Sequence, residues 1–295
     1  MRTEMREGSR RGGPGVVAVL LLALLSGCAS RRGMAAPSAN LSASLDMTGP
    51  SGQFRIEYNP GDAQDATRIQ QAVDEALPRL ARWGTLRETV TIKVMPNHKA
   101  LANAVQQREL GWLRAWSRYD EVLVQAPSTW GLVGASQPQI NELLIHELTH
   151  SLMYQLAADR LGWSRKQIPL WFREGMASYT AEQSYRWVTL EEIARHLERF
   201  PRSDPVRRPT ELYREDSNLV YGVAHHAFSF LVRRYGEDAV RALLAEMRGG
   251  KDFPDAFQSV IGVPADTYVA DFTRYVRWRG FRSGRLAPRA NEPRN

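Results

Sequence analysis

His146-Glu147-Leu148-Thr149-His150 is the stretch of this chain whose residue types and spacing can do chemistry. Four residues turn an α-helix by about 400°, so two histidines four apart sit one turn apart on nearly the same face. That spacing offers two imidazole nitrogens to one tetrahedral metal ion. Glu147 is rotated from His146 by about 100°, beside the pair. There it can reach a water on the metal without ligating the metal, and can serve as general base. Two histidines do not complete such a site, because a catalytic zinc commonly takes three protein ligands and keeps one position open.

The downstream stretch Ile168-Pro169-Leu170-Trp171-Phe172-Arg173-Glu174-Gly175-Met176-Ala177-Ser178-Tyr179-Thr180-Ala181 places Glu174 24 residues after His150. Pro169 suits a first helical position, and the residues after it have a helical pattern. With 146–150, this stretch resembles the gluzincin metallopeptidases, the thermolysin-like group. More closely it is similar to the small bacterial "peptidase MA-like" proteins. The resemblance is sharp over about 140–182 and looser over 53–276. It implies one Zn²⁺ held by His146, His150 and Glu174, with Glu147 as base in the hydrolysis of peptide bonds. It also implies that Gly175 and Ala177 are small so that their helix can lie close to the motif helix. Thermolysin-like enzymes often carry an Asp four residues after the ligand Glu, oriented toward a ligand histidine. This chain has Ser178 there, and Asn141 or a backbone carbonyl is the other candidate for that task. Gluzincins also supply a Tyr or His to the oxyanion that develops on the scissile carbonyl. Tyr221, or His225 one turn on, is the candidate here; His226 points elsewhere and reads as packing or surface. No Gly-x-Met-x-Asn exopeptidase pattern is present, which tilts the reading toward an endopeptidase.

The elements that must position these residues read as an α+β fold: a small mixed sheet with helices, packed on a helical C-terminal half. Gln53 to Tyr58 and Thr89 to Met95 alternate as half-buried strands. Residues 62–83 carry apolar side chains at helical period between them. Residues 113–117 and 122–126 read as a hairpin, whose edge strand can accept an extended peptide. Trp112, Trp116 and Trp130 read as packing residues. Ser136 and Gln139 have capping-box spacing, with Pro138 between them. The helix they open runs from about 137 to 160, with Ile140, Leu144, Leu148, Leu152 and Leu156 as its apolar stripe. Further helices are expected at 189–200, 217–235, 237–247, 252–261 and 264–278, with 201–212 as a loop.

The ends differ in character from this 53–276 domain, whose halves divide near residue 162. Arginines at 2, 6, 10 and 11 precede an apolar run, Val16 to Leu25, which is too short to span a bilayer but suits a secretory signal. The sequence Leu25-Ser26-Gly27-Cys28 then resembles the lipobox of bacterial lipoproteins. The resemblance implies a signal peptide over 1–27 and a lipid on Cys28, the one cysteine of the chain. Residues 28–52, rich in Ser, Ala, Gly and Pro, read as a flexible tether. The expected location is the bacterial cell envelope, lipid-anchored and facing the periplasm, with the outer membrane favoured in a Gram-negative cell. Net charge is +7, but four of the 39 basic residues lie in 1–27 and six in 277–295. The body between them has 29 basic and 29 acidic residues. A neutral body argues against nucleic acid as a partner; the basic tail, 277–295, reads as disordered. The expected partners are a peptide or protein substrate in the envelope and the membrane itself. The alternative of another class is a zinc-binding envelope scaffold that binds a protein and cleaves nothing. Oligomeric state is not encoded in any pattern of the chain.

Overall fold

Alternation in Gly52–Tyr58 sends Phe54 and Ile56 into the core, and the same period in Val90–Met95 sends Val90, Ile92 and Val94 there. In the computed structural model, which describes residues 41–286 except Glu109 and Arg214, these segments lie side by side in a five-stranded sheet. The strands are β1 (Ala43–Gly49), β2 (Gly52–Tyr58), β3 (Val90–Met95), β4 (Ala115–Ser117) and β5 (Glu121–Gln125). Their order is β1-β2-β3-β5-β4. β2, β3 and β5 are parallel, and the two edge strands run against them.

The helices are α1 (Ala63–Ala81), α2 (His98–Val105), α3 (Gln137–Ala157), α4 (Leu170–Thr180), α5 (Leu190–Arg199), α6 (Pro209–Tyr213), α7 (Ser217–Arg248), α8 (Phe253–Ile261) and α9 (Ala265–Leu286). α3 opens with the capping box of Ser136 and Gln139 and Pro at its start, as their spacing predicts. It lies against β4 and β5, with α1 on one side and α4 and α7 on others. Every residue from Leu143 to Gln155 is buried, so this part of the helix has no solvent face, and the leucines within it and the two histidines are all interior. One apolar core joins the sheet, α1, α3, α4 and the C-terminal helices.

The structure departs from the sequence expectations at four places. Residues 43–49, expected within the tether, form β1 and pair residue by residue with β2, because Leu45 and Met47 find the same core as Ile56 and Phe54. Within the expected 201–212 loop, Pro209 begins α6, and Leu212 is buried against Val220 and Tyr221. The two helices expected around Gly236 are continuous but for that residue, whose φ of 82° and ψ of 168° kink α7. Helix α9 runs to Leu286, past the expected start of a disordered tail at 277. Cys28, the signal segment, the tether up to residue 40 and the tail from 287 lie outside the described residues.

Candidate metal centre

Three side chains from two helices meet in the interior. His146 and His150 project from α3, and Glu174 from α4; one ligand atom of each lies within 4.8 Å of the other two. Glu174 Oε2 stands 3.4 Å from His146 Nε2 and 3.5 Å from His150 Nε2. All three residues are buried, and none of these three atoms has a hydrogen-bond partner. Buried polar atoms without partners are costly. A divalent ion resolves the cost: tetrahedral bonds of about 2.0–2.1 Å put ligand atoms roughly 3.3–3.4 Å apart. The two separations from Glu174 match and the third lies within 4.8 Å, so the residues present fit a metal ion.

The tautomer of His146 follows from its neighbour. Gln183 Oε1 lies 2.8 Å from Nδ1, and an amide oxygen only accepts, so Nδ1 carries the proton and Nε2 is left as a lone pair toward Glu174. Gln183 begins a short 3-10 turn, Gln183–Arg186, directly after α4. Burial lowers the pKa of His150, which keeps that ring neutral and able to ligate. Burial also pushes the Glu174 carboxyl up, but protons on the facing imidazole nitrogens outweigh this through charge and hydrogen bonding and hold it at about 2, a part that a metal ion would take in their place.

Glu147 is wholly buried beside this group. Its Oε2 accepts a hydrogen bond from the Ser117 hydroxyl at the end of β4, and its Oε1 has no partner. Burial pushes its pKa well above the usual carboxylate value; Ser117 opposes the shift and the Glu174 charge adds to it. A carboxyl so placed can accept and return a proton nearer neutral pH than a solvated one.

A second network adjoins the first. Ser178, one turn after Glu174 on α4, contacts His225 Nδ1 at 2.9 Å and accepts from the Trp187 indole at 2.7 Å. The indole can only donate, so the Ser178 oxygen accepts there, and the direction of its contact with His225 Nδ1 follows the His225 tautomer. Burial lowers the His225 pKa to about 4. Trp187 also stacks on Tyr221, with ring centroids 5.6 Å apart and planes 16° off parallel.

The site residues read from the sequence therefore separate into groups. His146, Glu147, His150 and Glu174 come together. Ser178 was the candidate to orient a ligand histidine, but its hydrogen bonds go to His225 and Trp187 instead. Asn141 is occupied near the start of α3, where its Oδ1 accepts from Gln137 at 2.8 Å. Gly175 does admit a close helix, but the neighbour is α7: a Cβ there would meet Ala224 O at 2.4 Å and Phe228 Cβ at 2.5 Å. Tyr221 and His225 lie in the second network on α7, and His226 binds the Val188 carbonyl at 2.8 Å as a packing residue. Ser117 and Gln183 are the residues that sequence reading missed. Neither sits in a motif, and each reaches the centre only through tertiary folding.

The model of one family matches residues 85–277, from just before β3 to within α9. The chain belongs to the Peptidase MA superfamily. No curated protein matches it. Membership in the Peptidase MA superfamily and the buried His-His-Glu group agree on a metallopeptidase-like protein with a site that can hold a metal ion.

Proposed function

We propose that this protein is a zinc-dependent peptidase of the gluzincin type, acting on peptide bonds in the cell envelope, where a lipid on Cys28 tethers it. The observation that carries the reading is the convergence of three partnerless buried ligand atoms at tetrahedral separations, with the partnerless Oε1 of Glu147 beside them. A His₂Glu donor set suits Zn²⁺, which bound there supplies the Lewis acidity that activates water at neutral pH and polarises a carbonyl.

The chain's own residues do the rest. Ser117 fixes one oxygen of Glu147, and the other takes the proton from water and returns it to the leaving amine. Gln183 holds the His146 ring with its lone pair inward. Tyr221 or His225 donates to the oxygen of the scissile carbonyl, with Trp187 and Ser178 behind them. β4 is an edge strand that ends at Ser117, so an extended substrate pairing with it would run past Glu147. An open-ended strand of this kind favours an endopeptidase.

One observation favours the scaffold alternative. His146, Glu147, His150 and Glu174 are all buried, and Trp112 and Trp116 pack together with Tyr221 and Trp187 beside β4. With the whole group buried, a substrate reaches the centre only if its surroundings move. One experiment separates the readings: zinc content by mass spectrometry, with cleavage of a peptide library, for the wild type and Glu147→Gln. The expected outcome is about one zinc in both proteins and a loss of ~10²–10⁴-fold in rate for the variant. A wild type that holds zinc and cleaves no peptide would overturn the peptidase and leave the scaffold.

A further inference from the structure

Leu132 and Val133 are almost wholly exposed, at 104% and 98% of their free surface. Single exposed aliphatics are ordinary on protein surfaces. Two in succession on a loop whose base is firmly built are not. Ala135 N–H donates to Pro127 O at 2.8 Å. Ser128 donates its N–H and its hydroxyl to Asp65, at 2.9 and 2.5 Å. The Trp130 indole is buried and donates to Gln125 O at 2.9 Å. Gly131 and Gly134 bracket the tip with φ of 65° and 75°, left-handed values that glycine adopts without strain. The loop is thus held at its base and turned outward at its tip.

The topology says what the tip faces. The parallel strands β2, β3 and β5 all finish at one end of the sheet, and this loop follows β5. Asp65 and Arg68, near the start of the helix that follows β2, hold the loop there. β1 runs against β2 with Ala43 opposite Tyr58, so the described chain also enters at that end. The described chain, which residues 1–40 precede, therefore starts on the side that carries Leu132 and Val133. Residues 1–40 contain the Val16–Leu25 run and Cys28. From Cys28 to Ala43 the chain spans at most roughly 50 Å.

We propose that the Leu132–Val133 tip is a membrane-contact element, inserting its two side chains into the surface of the bilayer that holds the N-terminal segment. The proposal rests on the reading of Val16–Leu25 and Cys28 as a membrane signal and lipid site, and it does not depend on catalysis. The contact is hydrophobic rather than electrostatic, since the loop base brings one acid and one base, Asp65 and Arg68, 4.0 Å apart. It would set the metal centre close above the bilayer, because His146 lies nine residues into α3, about 14 Å along the helix from that end.

The test uses the full-length chain with Cys28→Ser, carrying an environment-sensitive fluorophore on Leu132→Cys or, as control, on Leu161→Cys. Leu161 is 82% exposed and follows the far end of α3. With phosphatidylcholine vesicles, emission from position 132 should rise several-fold, shift to the blue, be quenched by spin-labelled lipid, and persist in 1 M salt, while position 161 stays unchanged. An equal response at both positions, or none at 132, refutes the proposal. So does a rise at 132 without vesicles that grows with protein concentration, which would put a second copy of the chain on the tip. Leu132→Asp with Val133→Asp should weaken vesicle partitioning by about tenfold or more, with zinc content and cleavage unchanged as evidence of folding; unaltered partitioning also refutes it. The mass of the N-terminal fragment of the chain with Cys28 intact reads the lipid separately, so failure of the anchor and failure of the tip are told apart.

Discussion

Gln183 has one task that a residue of similar size without an acceptor cannot perform: its Oε1 accepts a hydrogen bond from His146 Nδ1–H and so fixes which nitrogen faces Glu174. Outer partners of this kind typically govern metal affinity by 10–100-fold. Gln183→Leu should therefore weaken zinc binding by about that factor, measured by competition with a chromophoric chelator; an unchanged affinity would remove Gln183 from the site. His225 makes a prediction about pH. Its pKa is near 6.5 in the unfolded chain and about 4 in the fold, so between these values the unfolded state binds more protons. Its contribution is fully present above pH 6.5 and is lost as pH falls toward 4, by on the order of 3 kcal/mol. Denaturant melts across this range should show a steeper acid loss for the wild type than for His225→Asn. Parallel curves would mean that His225 titrates normally.

At the scale of elements, the site depends on how close α4 lies to α7. Gly175 follows the ligand Glu174 directly, and its missing Cβ is what lets the Ala224 carbonyl and the Phe228 side chain approach. Backbone cannot yield as a flexible side chain can, so Gly175→Ala should move the helices apart, at a cost of roughly 1–3 kcal/mol. Because Glu174 moves with α4, zinc affinity should fall together with the melting temperature. A variant of normal stability and affinity would show that the contact has slack. Trp187 works between the same two helices, with its N–H on Ser178 of α4 and its ring on Tyr221 of α7. Gly222 makes room for that strap, since a Cβ there would meet Val188 Cγ2 at 2.5 Å.

Across the whole molecule, α3 is the spine, buried between the sheet, α1 and the helical half. The metal centre therefore sits where the two halves join, and its state bears on the stability of both. Without the ion, two carboxylates and two imidazoles stay dehydrated with unmet ligand atoms. Free zinc at a thousandfold excess over its dissociation constant stabilises by about 4 kcal/mol, so stripping it should lower the melting point by on the order of 10 °C. Calorimetry with a strong chelator, then with zinc restored, checks this; a melting point indifferent to zinc would show that no metal links the halves. The family match begins at residue 85, so β1, β2 and α1 lie outside it. Of those elements, α1 packs on α3 and holds the base of the Leu132–Val133 loop, and β1 starts on that side.

His146, Glu147, His150 and Glu174 were legible in the sequence because helix periodicity fixes the first three relative to one another, and the stretch around Glu174 resembles that of the gluzincins. The sheet, the capping of α3 and most helix limits were legible too, since alternation, caps and glycine stops act over a few residues. β1 was hidden because Ala, Ser and Thr between its apolar residues look like linker until β2 is beside it. The partners of the site were hidden for a related reason: Ser117, Gln183 and Trp187 carry no local pattern. A hydrogen bond across 30 or 37 residues exists only once the chain has brought its ends together. The sequence by itself singled out the candidate ligands His146, His150 and Glu174 and the candidate base Glu147. Only the tertiary structure decided that Ser178 contacts His225, that Gly175 admits α7, and that the apolar tip and the start of β1 share one end, because each is a relation between elements whose packing no local period encodes.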